Sequence, residues 1–519
     1  MDAIELGVFS SRLTAVCDEM GATLKRAALS PNIKDRLDYS CAVFDVDGSL
    51  CAQAAHIPVH LGSMAFAMRD IVEKVSWHDG DMLIVNNPYL GGTHLPDVTL
   101  ISPVFVDDEL SGFVANRAHH ADIGAISPGS MPISQTLQEE GIIISPTLIV
   151  KQGVLDEDLL ASITGATRNK FQCYGDYAAQ MSANRCGEAR LKDLVSSMSI
   201  NQYRLGLIEL DHYAERMALS GLAILPDGEY QFSDVMDDDG VGSVDIVIKA
   251  NLKVIQGSID VNFEGTSLQV TGNINCPLSV AAAAVFYVFR CLMPAETPAC
   301  AGSFRSIEIS APEGSLLNAR YPAAVAAGNV ETSTRIVDVV MGALAQAIPT
   351  LVPAASQGSM NNIAMGGTSQ GENWDYYETL GGGMGGGPLS DGLDAVQTHM
   401  TNTRNTPVET VEMVYPLRVT EYSIRQNSAG TGIHCGGKGL KREFEFLADS
   451  SVTLLTERRL HAPWGLNGGK PGLPGKNVYS GEIVPPKVSF SVKKGERLAI
   501  YTPGGGGWGS ANIKPGKME

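Results

Sequence analysis

The chain has 519 residues, which is too long for one hydrophobic core and predicts two or three domains. Its content of 44% hydrophobic and 18% charged residues is typical of a globular protein, not of a disordered or fibrous one. The 38 basic and 57 acidic residues give a net charge of −19, which disfavours nucleic acids and anionic membranes as principal partners because both bind positive surfaces.

Cysteine usage and the N-terminus predict a compartment. The nine cysteines are scattered and form no Cys-x-x-Cys pair, so neither a disulfide framework nor a thiolate zinc site is expected, and a reducing cytoplasm fits best. Met1–Leu6 lacks the basic-then-apolar order of a signal peptide. The most apolar run, Val280–Met293, is interrupted by Arg290 and is too short to span a bilayer. We therefore predict a cytoplasmic protein with no membrane partner.

The N-terminal half combines helices with short strands. Apolar residues recur every three or four positions over 4–28, which predicts an amphipathic helix that ends at Ser30-Pro31. Tyr39–Phe44 and Met82–Val85 have the composition of short strands. Strand-like runs then alternate with Gly/Pro turns to about Val150, and the segment 155–220 returns to helical spacing.

The C-terminal half is richer in strands. Apolar and polar residues alternate in short runs over 229–275, which predicts an antiparallel sheet with one solvated face. Helices are predicted at about 278–292 and 330–347, and from residue 410 onward the pattern is one of short strands and turns without a notable helix.

The predicted fold class is α+β, a multi-domain mixed α/β chain with an N-terminal helix and β-rich central and C-terminal portions. We predict an N-terminal metal-site domain at 1–225 that includes the helical segment 155–220, a central α+β domain at 226–405, and a β-rich C-terminal domain at 406–519.

Two short clusters of histidine and aspartate predict a divalent metal site. His94 and Asp97 follow the Gly91-Gly92 turn, and His119 and His120 follow a strand that can return antiparallel beside Val98–Phe105. A catalytic metal ion needs about three such ligands and an open position. Asp122 or Asp38 is a candidate for completing the ligand set or orienting a histidine. The alternative is that these side chains only form turn hydrogen bonds.

Other motifs carry weaker indications. His56 and His60 flank Pro58 and cannot form a helical ligand pair, so each either lines a substrate pocket or serves packing and backbone hydrogen bonding. The glycine-rich stretch 380–387 lacks a Gly-Lys-Ser/Thr signature, which favours a substrate or partner loop or tight backbone packing over nucleotide binding. No Gly-x-Ser-x-Gly elbow suggests serine catalysis.

Motifs along the whole chain resemble the hydantoinase B/oxoprolinase family. The matching segments are Arg36–Ser40, His56–Ser63, Asn87–Asp97, Arg117–Gly124, Pro128–Met131, Glu140-Gly141, Gly175–Gln180, Phe263–Ser267, Gly328–Thr332, Tyr377–Thr379 and Pro503–Gly507, in the family's order. Three positions depart from the family pattern, namely Asn262, Cys300 and Cys435. These departures leave the metal segment intact but bear on the choice of substrate.

The resemblance implies a subunit of an ATP-dependent enzyme that opens a cyclic amide such as a hydantoin, a lactam or 5-oxoproline. It implies that a hydantoinase A-like partner with an actin-like ATPase fold binds ATP and phosphorylates the substrate, in a hetero-oligomer such as A2B2. The implied ligands of a Zn or Mn ion are Asp38, His94, Asp97 and His119, and the implied catalytic residues are His94, Asp97, His119 and His120. Residues implied next to them are Asp122, His56, His60 and Arg117.

Two other functions remain open at the level of sequence. The resemblance extends to subunits of acetone and acetophenone carboxylases, which act on ketones. A subunit that only completes an assembly is a third possibility, and the presence of His94, Asp97 and His119 disfavours it.

Overall fold

The computed structural model describes residues 1–54 and 57–510, and its first part is built on one antiparallel sheet. The helices of this part are α1 (Ala3–Ala27), α2 (Pro31–Lys34), α3 (Pro58–Val72), α4 (Glu157–Gly165), α5 (Lys170–Ser196) and α6 (Ile200–Leu222). Its strands are β1 (Tyr39–Phe44), β2 (Leu50–Gln53), β3 (Met82–Val85), β4 (Asp97–Val106), β5 (Glu109–His119), β6 (Thr147–Lys151) and β7 (Val154–Leu155). The sheet order is β2-β1-β5-β4-β3-β6-β7.

Helices cover both faces of this seven-stranded sheet. Successive residues of β4 and β5 point to opposite faces of the sheet, as strand geometry requires. Val98 and Leu100 pack towards α5, and α1 lies against α5 on the same side. Ile101 and Phe113 pack towards α3 on the other side. The predicted N-terminal helix, the strands at 39–44 and 82–85 and the helical segment 155–220 are confirmed.

Helix α3 was not predicted from the sequence. Pro58 and Gly62 resemble turn residues, but Pro58 occupies the first helical position, where its missing N–H costs no hydrogen bond. Met64, Met68 and Ile71 then recur at helical spacing and are buried against the sheet. Gly62 allows a close approach to α7 (Leu278–Arg290), because a Cβ there would lie 2.9 Å from Ala283 Cα.

The central part forms a second, four-stranded sheet in the order β11-β10-β9-β8. Its strands are β8 (Gly228–Asp238), β9 (Val244–Ile255), β10 (Ser258–Asn262) and β11 (Ile307–Ser310), and its second helix is α8 (Ser333–Ala347). Helix α8 packs on β8 and β9 and against α7, while α7 packs on α3. The antiparallel pattern over 229–275 and the two helices predicted near 278–292 and 330–347 are therefore confirmed.

The last part consists of two sheets that enclose one apolar core. Their strands are β12 (Asn362–Ser369), β13 (Glu372–Glu378), β14 (Leu417–Ile424), β15 (Leu440–Phe446), β16 (Ser450–Leu455), β17 (Lys476–Tyr479), β18 (Glu482–Val484), β19 (Lys487–Val492) and β20 (Arg497–Tyr501). The orders are β13-β12-β16-β19 and β14-β15-β20-β17-β18. The short helix α9 (Val408–Val414) was not predicted, since two turns give too little periodicity.

The predicted α+β fold class, with its N-terminal helix and β-rich later portions, is confirmed. The four-stranded sheet of the last part combines β12 and β13, which precede residue 405, with β16 and β19, which follow it. The domain boundaries at 225 and 405 stay predictions. Within the described ranges, no helix is long and apolar enough to cross a membrane.

The glycine-rich segments pack backbone against backbone. Gly505 donates its N–H to Gly437 O at 2.9 Å, and Gly437 donates to Met384 O at 2.7 Å. A Cβ on Gly505 would lie 2.0 Å from Met384 O, which no side chain tolerates. Tight packing of extended backbones therefore accounts for these glycines, as one of the interpretations of the sequence predicted.

Candidate metal centre

A hairpin brings three side chains of the first sheet together. Asp97 is the first residue of β4 and His119 the last of β5, and the antiparallel register places them directly opposite each other. His94 lies in the loop just before β4, at i−3 from Asp97. One ligand atom from each of the three residues lies within 4.8 Å of the others, and the side chains are 0%, 1% and 3% exposed for His94, Asp97 and His119.

Two of the three separations match those between ligands on a tetrahedral metal ion. Asp97 Oδ1 lies 3.3 Å from His94 Nε2 and 3.3 Å from His119 Nδ1. Ligands at 2.0–2.1 Å from a zinc ion are separated by about 3.3–3.4 Å along a tetrahedron edge. The His94 ring faces Ala326 O with Nδ1 at 3.1 Å, so Nδ1 donates and Nε2 keeps a free lone pair. Nε2 is buried and makes no hydrogen bond, as expected of a ligand atom.

The second oxygen of Asp97 is held by three donors. Asp97 Oδ2 accepts hydrogen bonds from Thr93 Oγ1 at 2.6 Å, His60 Nε2 at 3.2 Å and Asn329 Nδ2 at 3.2 Å. Burial opposes ionisation of this carboxyl, but the facing His94 and His60 outweigh it and hold its pKa well below the usual range. Asp97 is therefore an oriented carboxylate with Oδ1 directed at the two histidines.

His60 acts on this site through Asp97. Since its Nε2 donates to the carboxylate, Nδ1 is the acceptor, and Ser40 Oγ lies 3.1 Å from it. Ser40 Oγ in turn accepts the N–H of Ile57 at 3.2 Å. This Ser–His–Asp chain is buried within β1 and α3, so it orients Asp97 and does not present a nucleophile. The second predicted histidine of this segment, His56, lies outside the described residues.

The His119 ring stacks on an aromatic residue from β13. It stacks on Tyr377 with ring centroids 4.8 Å apart, and the Arg36 guanidinium lies 4.9 Å from the same tyrosine ring. The backbone carbonyl of Asp38 accepts the N–H of His119 at 3.0 Å, and the Asp38 carboxylate lies 3.8 Å from Arg36 Nη2. Asp38 thus lies beside His119 but outside the three-residue cluster, and its assignment as a fourth ligand stays a prediction.

His120 lies on the opposite face of the sheet. Because successive residues of a strand alternate, its ring packs on Tyr177 of α5, with centroids 4.2 Å apart. Its Nε2 lies 2.8 Å from Gln180 Oε1 and donates to it. Burial lowers the pKa of His120, so the ring is neutral. The structure does not bring His120 to the cluster, and a catalytic function for it stays a prediction.

Arg117 and Asp122 hold the loops around the cluster. Arg117 donates to Thr99 Oγ1 at 2.8 Å, Ser63 Oγ at 2.8 Å and Gly91 O at 2.9 Å, which ties α3 and the Gly91 turn to the sheet. The Asp122 carboxylate accepts hydrogen bonds from groups on both sides, which are Gly124 N, Ser130 Oγ, Arg168 N and Arg168 Nη1. The polar groups of both side chains are therefore engaged in hydrogen bonds that hold these loops.

The two cluster histidines have opposite pKa shifts. Burial disfavours the charged form of His94, but Asp97 outweighs burial and the pKa of His94 is raised. For His119 burial prevails and the pKa is lowered. A metal ion must displace any proton from its ligand nitrogens, so metal affinity at this centre is expected to increase with pH.

Sequence spacing did not identify several residues that complete the centre. Thr93, Asn329, Tyr377 and the carbonyl of Ala326 all contact a cluster side chain. Asn329 and Tyr377 stand within family-like motifs, but Asn329 lies 232 residues from Asp97, Tyr377 is further still along the chain, and only the fold shows the contacts.

The three departures from the family pattern lie in other surroundings. Asn262, at the end of β10, donates to Ser310 Oγ at 2.9 Å and accepts Glu264 N at 2.7 Å. Cys300 is buried, and Cys435 lies in the glycine-rich region with its N–H on Asp391 Oδ1 at 2.8 Å. These contacts are structural, and none of them reaches the cluster.

Comparison with known proteins agrees with the geometry. The family model described as hydantoinase B/oxoprolinase matches residues 2–511. The chain is 40% identical to 5-oxoprolinase 1 of Arabidopsis thaliana over 98% of its own length, and it spans 42% of that longer protein.

Two solved structures have the same fold. An ATP-dependent caprolactamase from Pseudomonas jessenii superposes with a TM-score of 0.91 at 27% identity, covering 98% of this chain and 91% of that one. A nucleotide-free acetone carboxylase superposes with a TM-score of 0.88 at 18% identity, covering 98% and 76%, which shows a shared fold alone. With a match along nearly its whole length, the chain belongs to the hydantoinase B/oxoprolinase family.

Proposed function

We propose that this chain is the metal-bearing subunit of an ATP-dependent enzyme that hydrolyses a cyclic amide. The observation that carries the proposal is the buried set of His94 Nε2, Asp97 Oδ1 and His119 Nδ1 at metal-ligand spacing, in a chain that matches this family from residue 2 to 511. The caprolactamase and 5-oxoprolinase relatives, each named for a cyclic amide, support a hydantoin, lactam or 5-oxoproline ring as substrate.

The residues of this chain supply orientation and exclude water. A divalent ion such as Zn²⁺ or Mn²⁺, when bound, lowers the pKa of its water towards about 7 and provides a hydroxide nucleophile. His94 is fixed by Ala326 O, Asp97 by its three donors and His119 by Tyr377, so the ligand atoms need no rearrangement to converge. Because the cluster is buried, bulk water is kept away from it, and each electrostatic contact there is strengthened.

ATP is assigned to a partner subunit. The glycine-rich stretch 380–387 packs against other backbone segments, which leaves no cradle for phosphates in that stretch. The Arabidopsis relative is more than twice as long as this chain and has room for a second catalytic part. A hydantoinase A-like ATPase of actin fold would phosphorylate the amide oxygen, which makes the ring carbon a better electrophile, in an assembly such as A2B2.

A ketone carboxylase is the second candidate. The acetone carboxylase likeness favours it only through the fold, since the identity is 18%. ATP-dependent ring opening of hydantoin, 2-pyrrolidone or 5-oxoproline without bicarbonate by the reconstituted complex would reject it. ATP-dependent consumption of a ketone only in the presence of bicarbonate would reject the hydrolase.

Variants of the cluster test the site. His94→Ala and Asp97→Ala are expected to lose bound metal and at least about 10²-fold in turnover, while His78→Ala should retain both. His78 is a suitable control because its side chain is 58% exposed and pairs with Asp81 at 3.5 Å, away from the cluster. Metal content by mass spectrometry and turnover with the partner are measured together. If both cluster variants keep their metal and their turnover, the site is wrongly assigned.

A further inference from the structure

Asn329 carries an unpartnered acceptor at the metal centre. Its side chain is 3% exposed and donates from Nδ2 to Asp97 Oδ2 at 3.2 Å, while its Oδ1 is buried and makes no hydrogen bond. A carboxylate accepts only, so the amide cannot be turned around without placing two acceptors face to face. Oδ1 is therefore fixed as a free acceptor within a few ångströms of the cluster.

The backbone around Asn329 is held in place. The residue lies on a π-helical turn, Gly328–Thr332, a conformation that is often found at functional sites. Ser333 Oγ donates to Asn329 O at 2.6 Å, and Gly328 N donates to Asn273 O at 3.1 Å. A Cβ on Gly328 would lie 1.9 Å from Asn275 O, so the turn is pressed against its neighbour and cannot shift outward.

A buried acceptor without a donor is costly, and each such group in a native protein requires an explanation, of which a catalytic or binding function is one. The substrate class of the proposed function offers that partner. A small cyclic amide is locked in the cis form and presents its C=O and N–H along one edge, with the N–H adjacent to the scissile carbonyl. A ketone has no such donor.

We propose that Asn329 Oδ1 accepts the N–H of the scissile ring amide, which the O-phosphorylated amide retains as an iminium N–H, and makes the enzyme selective for amides that carry this hydrogen. The inference rests on the proposed function and deepens it. Asn329 then has two tasks, since Nδ2 orients the ligand Asp97 and Oδ1 recognises the substrate. Sites built to bond a substrate N–H reject analogues that lack it, because the acceptor is left unpaired.

The test compares each cyclic amide that the complex opens with its analogue methylated on the scissile nitrogen, for example 2-pyrrolidone with N-methyl-2-pyrrolidone. The partner subunit is kept in excess so that the rate is proportional to this chain. The wild type is expected to prefer the N–H substrate by at least about 10²-fold in kcat/KM. Asn329→Leu has the same branched arrangement of side-chain heavy atoms but no acceptor, and it should reduce this preference at least about tenfold.

Thr93→Val is the matched control. It also removes one donor from Asp97 Oδ2, so it is expected to lower metal affinity and both rates together while keeping the preference within about twofold. Bound metal is measured for every variant.

The outcomes separate the two proposals. An unchanged preference in Asn329→Leu, or a preference lost equally in Thr93→Val, overturns the inference and leaves the hydrolase standing. If the loaded wild-type complex opens no ring amide in the presence of ATP, the proposed function fails, and the inference fails with it.

Discussion

Replacement of Arg117 by methionine tests how the loop that carries His94 is held. Arg117 is fully buried, and its guanidinium donates to Thr99, Ser63 and Gly91. Hydrogen bonds from a charged donor contribute about 1.5–3 kcal/mol each. Burial lowers the pKa of Arg117 from 12.5 to about 10, and since each pKa unit is worth about 1.4 kcal/mol, desolvation offsets about 3 kcal/mol of this gain. We expect a net destabilisation of about 2–5 kcal/mol.

Unfolding in urea, followed by circular dichroism, measures this loss, and hydrogen exchange of the β4 and β5 amides locates it. Arg204→Met is the control, because Arg204 is 41% exposed and pairs with Glu109 of the same strand as Arg117 at 2.7 Å. A surface pair contributes about 0–1 kcal/mol, so the control should unfold nearly as the wild type does. If Arg117→Met is no less stable than Arg204→Met, the buried guanidinium does not hold the Gly91 turn.

Three further predictions follow from named contacts. His60→Phe should lower metal affinity by about 10–100-fold in a chelator competition, and unchanged affinity would contradict its orienting function. Burial raises the pKa of Glu331 from 4.5 to about 8. Its neutral form therefore stabilises the fold below pH 4.5, and this stability is lost as the pH rises through about 8. Glu331→Gln should flatten this pH dependence of stability in thermal unfolding. Gly505→Ala should abolish folded protein, because its Cβ would overlap Met384 O, whereas Gly7→Ala in α1 meets open space and should gain up to about 1 kcal/mol in urea unfolding.

Sequence periodicity predicted those elements whose burial pattern is local. Helix α1 buries Phe9, Leu13 and Met20 on one face, and buried positions of strand β9 alternate with more exposed ones, so each pattern is visible in a short window. Helix α3 was not predicted because Pro58 and Gly62 are residues typical of turns. In the structure Pro58 begins the helix, and Gly62 lies where α3 contacts α7. The pairing of β12 with β16, nearly ninety residues apart in the chain, has no local signal either.

The ligands of the candidate centre likewise lie close together in the sequence, whereas several of the residues that orient them do not. His94, Asp97 and His119 fall within 26 residues, and a two-stranded hairpin is enough to bring them together. Spacing therefore indicated the cluster but left His119 and His120 as alternatives, and the choice of His119 came from the family resemblance. Several of their supports come from the central and last parts of the chain, namely Ala326, Asn329 and Tyr377. Glu140 Oε1 accepts the N–H groups of Val325 and Ala326 at 2.9 Å each, which holds the carbonyl that orients His94.

The centre therefore lies where three parts of the chain meet, and the hairpin alone would leave the ligands without fixed orientation. Asp97 takes a donor from its own loop, one from α3 and one from the turn Gly328–Thr332, and the His119 ring rests on β13. Metal affinity should thus respond to changes far from any ligand whenever they displace that turn or β13. Asn329 orients the ligand Asp97 and also offers the free acceptor, so one side chain contributes to both metal binding and substrate selectivity. The spacing of residues within the ligand segments, which end before residue 125, could not identify it.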